Sequence, residues 1–274
     1  MNAMLDLIEH RRSIRKYAKT PITTEEKETI LHAAMRAPTA GNMMLYSIIE
    51  VEEQSLKDKL ALTCDHQPFI ASAPFVLLFL ADYQRWVDLF NWSGAPQASH
   101  EKGVAPRPPQ EGDLLLACCD ALIAAQTAVL AAESLGIGSC YIGDIMENAE
   151  EHRAMFSLPQ YTLPICLLCF GRPYVTHEPQ RQVPRFDPSF IVHHDRYQPP
   201  SPEKFPHMLQ NLLRQTSDPD PEAAAKAYVQ ALYSRKFVSD FSVEMTRSVR
   251  LWINAWNGSS FEGSPGSAGT SSAP

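Results

Sequence analysis

Positive charge is in short supply in this sequence. Its 24 lysines and arginines stand against 31 aspartates and glutamates, a formal charge of −7. That balance excludes a nucleic-acid binder resting on a broad basic surface and leaves room only for a local basic pocket. Long hydrophobic runs are missing too. Runs such as Pro74 to Ala81 fall well short of the ~20 residues that cross a bilayer. The opening Met1-Asn2-Ala3-Met4 has no basic stretch leading into an apolar one, so no export signal is read there. These absences predict a soluble, cytoplasmic protein with neither membrane nor nucleic acid as partner.

Cysteine is sparse. Six in 274 residues do not make a disulfide scaffold, and adjacent Cys118 and Cys119, in a helix-like segment, cannot pair with each other without distortion. Cys166 and Cys169 form a C-x-x-C inside the apolar run 163–170, the pattern of a buried strand and not of an exposed redox loop. The G-x-x-x-x-G-K-S/T phosphate loop, the G-x-G-x-x-G dinucleotide turn and the G-x-S-x-G nucleophile elbow are all absent, and there is no internal repeat. His193-His194-Asp195 has suitable residue types for a metal but no second cluster of ligand spacing, so no metal is expected.

What is present reads as an ordinary globular protein: 45% of residues are hydrophobic and 20% charged, enough for one large domain or two small ones. Residues 4–10 are apolar-periodic. Thr23 and Glu26 have capping-box spacing ahead of a helix running to about Ala37, with Ile30, Leu31 and Ala34 as its inner stripe and Pro38 as its stop. Strands are expected over 45–52, 74–81 and 163–170, the second covered on both faces. A short helix fits 55–63. The stretch 82–112, with Trp86, Trp92 and four prolines, has no single period and reads as an excursion or lid. The strongest helix runs from Asp113 to Leu135 and stops at Gly136. It is apolar on nearly all sides and is therefore expected in the core. Residues 136–143 form a glycine-punctuated turn into a short strand. A proline-rich connection with little periodicity covers about 198–221, 222–256 reads as helical with Tyr228, Leu232 and Tyr233 on an apolar side, and a mobile tail is expected beyond.

Four constellations can carry chemistry. In Arg11-Arg12-Ser13-Ile14-Arg15, three guanidinium groups repel one another unless an anion or carboxylates neutralise them, and Ser13 adds a neutral donor. The cluster is either a phosphate site or a solvated basic patch at a helix end. The turn Pro38-Thr39-Ala40-Gly41-Asn42 combines small residues, which let a flat ligand approach the backbone, with Thr39 and Asn42 for its polar edge. Tyr141-Ile142-Gly143-Asp144 ends a strand with a glycine, either a ligand approach or a simple terminus. Arg181 to Arg185 follows Gly171-Arg172-Pro173 and is either a second anion contact or a charged loop.

Taken in this order, the pieces resemble the nitroreductase family of FMN-dependent oxidoreductases, in particular its NADPH-preferring nitroreductase and flavin reductase branch. The resemblance spans most of residues 4–197. It rests on the R-S-I-R cluster, the turn before the first strand, Gln67 ahead of a long apolar strand, Ala-Ala-Glu-Ser-Leu-Gly136 leading to Tyr-Ile-Gly143, and Leu163-Pro to Gly171 followed by Pro184-Arg185 and Tyr197. It implies that Arg12, Ser13 and Arg15 contact FMN, with Arg11 where many relatives have His. Thr39, Ala40, Gly41 and Asn42 would form the turn along the flavin, with Gln67 at its pyrimidine edge and Tyr141, Ile142 and Gly143 beside it. Asp144 stands where close relatives often have a second Gly. Arg185 matches the phosphate-binding Arg. Val183 occupies the usual Lys position, which Arg181 would replace across a small insertion. Arg235 and Lys236 fall near the family's 2′-phosphate contacts, or are a solvated helix face.

The resemblance further implies an α+β fold with a mixed central sheet flanked by helices, in an interlocked homodimer. It divides the chain into an FMN-binding nitroreductase domain over 1–197, a linker and helical dimerisation arm over 198–256, and a tail over 257–274. The implied activity is NAD(P)H oxidoreduction: ping-pong hydride transfer from NADPH or NADH to a nitroaromatic, quinone, free flavin or azo compound, with no side chain acting as a nucleophile. Alternatives are other flavin chemistry on the same fold, such as enone reduction, dehalogenation or flavin cleavage, and a flavin-binding protein without turnover.

Overall fold

The computed structural model describes residues 2–174, 183–213 and 220–259. The chain divides into two units, one of Met1–Thr176 with Glu244–Pro274 and one of His177–Val243. In chain order the first unit carries helices α1 (Ala3–His10) and α2 (Thr24–Met35), strand β1 (Tyr46–Glu50), α3 (Gln54–Thr63) and β2 (Phe75–Asp82). Next come α4 (Gln84–Ser93), α5 (Ala95–Glu101), α6 (Glu111–Ser134), β3 (Gly138–Ile142), α7 (Ala149–Met155) and β4 (Thr162–Gly171). The second unit carries α8 (Phe205–Leu213) and α9 (Pro221–Lys236). Helix α10 (Asp240–Trp256) belongs to the first unit from Glu244 onward.

The sheet order is β1-β2-β4-β3 and every pairing between these strands is antiparallel. The expected α+β architecture is present, and the parallel contribution is a single bridge between Ser13 and Ser139 at the β3 edge. Strand β2 is buried along its whole length, as its unbroken apolar run predicts, because both faces of the sheet are covered. Val76, Leu78 and Leu80 pack into one layer with Leu60, Ala149, Trp252 and Trp256. Phe75, Leu77 and Phe79 pack into the other with Ile30, Ala34 and the alanines of α6. Cys166 and Cys169 are buried in β4 and serve opposite layers, as the period of two requires. They therefore act as packing residues, and burial pushes the Cys166 thiol up to about 12. Pro164 sits where the β2–β4 register shifts, a place that tolerates a residue without a ladder donor.

The predicted capping box forms: Glu26 N donates to Thr23 Oγ1 (3.2 Å) and Thr23 N to Glu26 Oε2 (2.9 Å). Arg172 then donates to Glu26 Oε1 at 2.5 Å, which ties the end of β4 to the start of α2.

Four expectations need correction. Helix α6 is long and apolar enough by composition to cross a bilayer, yet it is not buried all round. Its alanine face packs on the sheet, while Leu115, Leu116, Leu122 and Ile123 are exposed. The excursion over 82–112 contains two short helices, α4 and α5, joined at Gly94 in the left-handed region (φ 70°). The connection over 198–221 contains α8, and the segment 222–256 is two helices broken at residues 237–239.

Candidate functional site

The segment after α1 runs as an extra strand-like strip along the sheet. Ser13 bridges Ser139, Ile14 N donates to Ser139 O at 2.9 Å, and Tyr17 bridges Pro173. The strip can lie this close because Gly138 and Gly171, cross-strand partners in the β3–β4 ladder, carry no side chain. A Cβ on Gly138 would meet Ile14 at 2.3 Å and one on Gly171 would meet Tyr17 at 2.2 Å. With Ile14 and Tyr17 turned into the sheet, Ser13 and Arg15 face outward and Arg11 and Arg12 are half-buried.

Among the described residues none of Arg11, Arg12 and Arg15 forms an ion pair. The carboxylate facing Arg11 and Arg12 is Glu133, near the end of α6. Burial raises its pKa while the two guanidinium groups pull it down, and its Oε1 is buried without a hydrogen-bond partner. One half-buried carboxylate against three cations leaves net positive charge on the strip, a donor set suited to a phosphate. The guanidinium of Arg15 lies 5.7 Å from the centroid of the Phe69 ring, a cation–π contact that joins the strip to the loop bearing Gln67.

That loop is strained. Asp65 and His66, both non-glycine, take φ of 56° and 51°, and such left-handed residues concentrate at functional sites. The turn is held by Gln67 N donating to Ala61 O at 2.7 Å. The Gln67 Nε2 donates to Cys64 O and to Asp144 Oδ2, both at 2.9 Å. Thus the strip, the Gln67 loop and the end of β3 meet directly. At that end Tyr141 donates to Gln126 Oε1 at 3.3 Å, and burial raises its phenol pKa. Ile142 is buried, and Gly143 is exposed with ordinary backbone angles (φ −82°). Among the described residues no atom lies within 4 Å of where its Cβ would sit.

The turn at 38–45 is built around a residue that sequence reading overlooked. Asp120 is 3% exposed on α6. It accepts from Thr39 Oγ1, from Ala40 N at 3.0 Å and from Leu45 N at 3.1 Å, while Thr39 Oγ1 accepts from Met44 N at 2.8 Å. Gly41, Asn42 and Met44 all have positive φ. The turn is braced from outside by α4: Trp86 Nε1 donates to Met43 O at 2.7 Å and Arg85 to Met44 O at 3.3 Å. Thr39 is therefore consumed in holding the turn. Ala40, Met43, Phe69 and Tyr17 rest on one hydrophobic layer, which places the turn on the same bed as the other two segments. The one carboxylate between Leu114 and Ala132, the apolar body of α6, was the available signal for Asp120. Glu133, in the quoted Ala-Ala-Glu-Ser-Leu run, was visible but unassigned.

The remaining candidates fall elsewhere. Arg181 lies outside the described residues. Arg185 belongs to the second unit, where its Nη1 donates to Val183 O (3.1 Å) and Pro184 O (3.2 Å). Arg235 and Lys236 are exposed in the last turn of α9, and Lys236 Nζ lies 5.0 Å over the Phe241 ring.

A family model, that of the Nitroreductase family, matches residues 8–172, the span that contains the strip, both loops and all four strands. The chain belongs to the nitroreductase family. It is 32% identical over 199 residues to an oxygen-insensitive NADPH nitroreductase of Salmonella typhimurium, covering 73% of this chain and 76% of the relative. To an NADPH-flavin oxidoreductase of Vibrio harveyi it is 30% identical over 202 residues, covering 72% and 76%. The solved structure of the NADPH:FMN oxidoreductase from Vibrio harveyi complexed with NAD+ superposes with a TM-score of 0.67 at 26% identity, covering 89% of this chain and 98% of that one. These family members share with this chain the frame on which the four segments are mounted.

Proposed function

We propose that this nitroreductase-family protein is an FMN-dependent NAD(P)H oxidoreductase that reduces flat, oxidised acceptors such as nitroaromatics, quinones or flavins. The observation that carries the reading is the arginine strip. Three guanidinium groups that form no ion pair among the described residues stand on a strip that backbone bridges hold to the sheet, with Arg15 over Phe69 in the loop bearing Gln67. The donor set fits a flavin mononucleotide: charge and a hydroxyl for its phosphate, backbone without side chains for its ring, and an amide for its polar edge.

Bound FMN would supply the two-electron chemistry, taking hydride from a reduced nicotinamide and delivering it to the acceptor. The chain's part is to hold and surround it. Arg11, Arg12 and Ser13 hold the phosphate, while Arg15 brings fixed positive charge to the Gln67 side. The turn from Thr39 to Asn42 and the segment from Tyr141 to Gly143 offer main chain to the ring, and Arg235 with Lys236 would meet the 2′-phosphate of NADPH. No side chain need act as a nucleophile. We read the protein as a cytoplasmic homodimer. The exposed leucines of α6, with Leu115 66% accessible, and the exposed Tyr228, Leu232 and Tyr233 of α9 are apolar faces of the kind that a second copy covers.

The test is direct. Purified protein incubated with FMN and freed of excess should show a flavin absorption spectrum that bleaches on addition of NADPH without oxygen and returns with a quinone. Protein that stays colourless after loading overturns the reading, and a single stoichiometric bleaching without turnover overturns the enzymatic half of it.

A further inference from the structure

Asp144 is an acidic residue directly beside the proposed ring site, where its side chain accepts from Gln67. The Nε2 of Gln67 has two hydrogens, and the structure accounts for both: one goes to Cys64 O and one to Asp144 Oδ2, each at 2.9 Å. This fixes which end of the amide is which. The flipped side chain would set its Oε1 against a carbonyl and a carboxylate at the same distances, two repulsive contacts in place of two bonds. The other end, Oε1, has no hydrogen-bond partner among the described residues. Gln67 is thus an acceptor with no donor to spare.

We propose that Asp144 is a positioning residue that locks Gln67 as a hydrogen-bond acceptor, so that the site takes its ring through an imide N–H, the N3–H of the isoalloxazine, and not through a ring carbonyl. The inference rests on the flavin reading above and deepens it. It follows from the supply of atoms: a free amide pairs with either the N–H or the neighbouring carbonyl of a pyrimidine edge, whereas one whose donors are already engaged pairs only with the N–H. The two left-handed residues ahead of Gln67, Asp65 and His66, are the backbone distortion that brings its side chain to Asp144, and Cys64 contributes the second acceptor through its own carbonyl. In Asp144→Ala the amide loses the stronger of its two anchors, because a bond to a carboxylate is worth about twice a neutral one. Asp144→Asn keeps an acceptor oxygen in the same place without the charge and should preserve the lock.

The experiment loads full-length protein with FMN labelled with ¹⁵N at N3 and measures solvent exchange of the N3 proton by NMR, with FMN affinity from flavin fluorescence alongside. Wild type and Asp144→Asn should protect the N3 proton at least about tenfold more than Asp144→Ala, the ratio that one net hydrogen bond of about 1.4 kcal/mol produces. Gln67→Leu, which removes the acceptor and leaves Asp144 in place, should lose protection as Asp144→Ala does. A structural role for Asp144 alone would weaken FMN binding in Asp144→Ala without changing protection in the bound fraction, and that result overturns the inference. Undiminished protection in Gln67→Leu overturns it as well, even if Asp144→Ala does not fold. In both cases FMN is bound and the functional reading stands. Wild-type protein that takes up no FMN overturns the functional reading and this inference with it.

Discussion

Two kinds of charged residue decide the site, and they work in opposite ways. Among the described residues Arg12 and Arg15 form no ion pair, and in the reading proposed above they are held for a ligand. Replacing either with Ala removes one charge-assisted contact of about 1.5–3 kcal/mol, so FMN should bind roughly ten- to a hundredfold more weakly in a fluorescence titration, with the fold unchanged by circular dichroism. Asp120 is the reverse, a buried charge fully spent on its neighbours. Asp120→Ala strands the Thr39 hydroxyl and the amides of Ala40 and Leu45, at about 1–3 kcal/mol for a buried unsatisfied group. Urea unfolding should show a loss of about 2–4 kcal/mol, since several donors share one vacancy. The two residue classes differ in legibility for a physical reason. A run of like charges advertises itself locally, whereas the partners of Asp120 are 75 or more positions away in sequence and no spacing rule connects them. Thr39 shows the same limit: its type was legible, its commitment to Asp120 was not.

Among the elements, helix starts and buried strands were the most readable, because capping boxes and unbroken apolar runs depend on neighbours in sequence. Helices α4, α5 and α8 were lost because they are short, bury no residue but Leu209, and lie among prolines that mask the period. Gly138 was legible only as part of a glycine-punctuated turn and Gly171 only as a marker of the resemblance, because their joint use as the seat of the arginine strip depends on a cross-strand pairing that sequence does not display. Gly138→Ala and Gly171→Ala should each displace the strip, seen as FMN loss of at least tenfold and as faster amide exchange at Ile14, whose N–H is bonded to Ser139. A second element-scale expectation concerns pH. His152 is buried with Nδ1 2.8 Å from Ile145 O and Nε2 2.8 Å from Thr63 Oγ1, joining α7 to α3 and to the segment after Gly143. Burial, the main cause, holds its pKa below the ordinary 6.5, with Glu151 pulling up and Lys59 down. The folded state therefore binds a proton later than the unfolded one does, and stability falls as pH drops below about 6.5. Its slope is at most about 1.4 kcal/mol per pH unit for this one group. Unfolding at pH 7 and 5.5, with His152 followed by NMR titration, checks both the direction and its source.

At the scale of the molecule, the apolar residues of α6 divide into a face that meets the sheet and a face that is exposed among the described residues. Sequence predicted a core helix because it is apolar on nearly all sides, and composition does not tell which side the sheet covers. Sedimentation of the wild type at micromolar concentration should give a dimer, and Leu122→Glu, on the exposed face, should shift it toward monomer and lower FMN retention together. A wild type that sediments as a monomer would refute the proposed assembly. The strip that carries the arginines has a further consequence, for the order in which the protein is made. Ser13 and Ile14 are held by Ser139, and Tyr17 by Pro173, so the head of the chain waits for its seat until translation has passed the end of β4. A ribosome stalled short of Pro173 carries the complete arginine cluster without the residue that Tyr17 bridges. If the strip is the flavin site proposed above, capture of the cofactor is deferred to a late stage of synthesis, when most of the surrounding scaffold has already emerged.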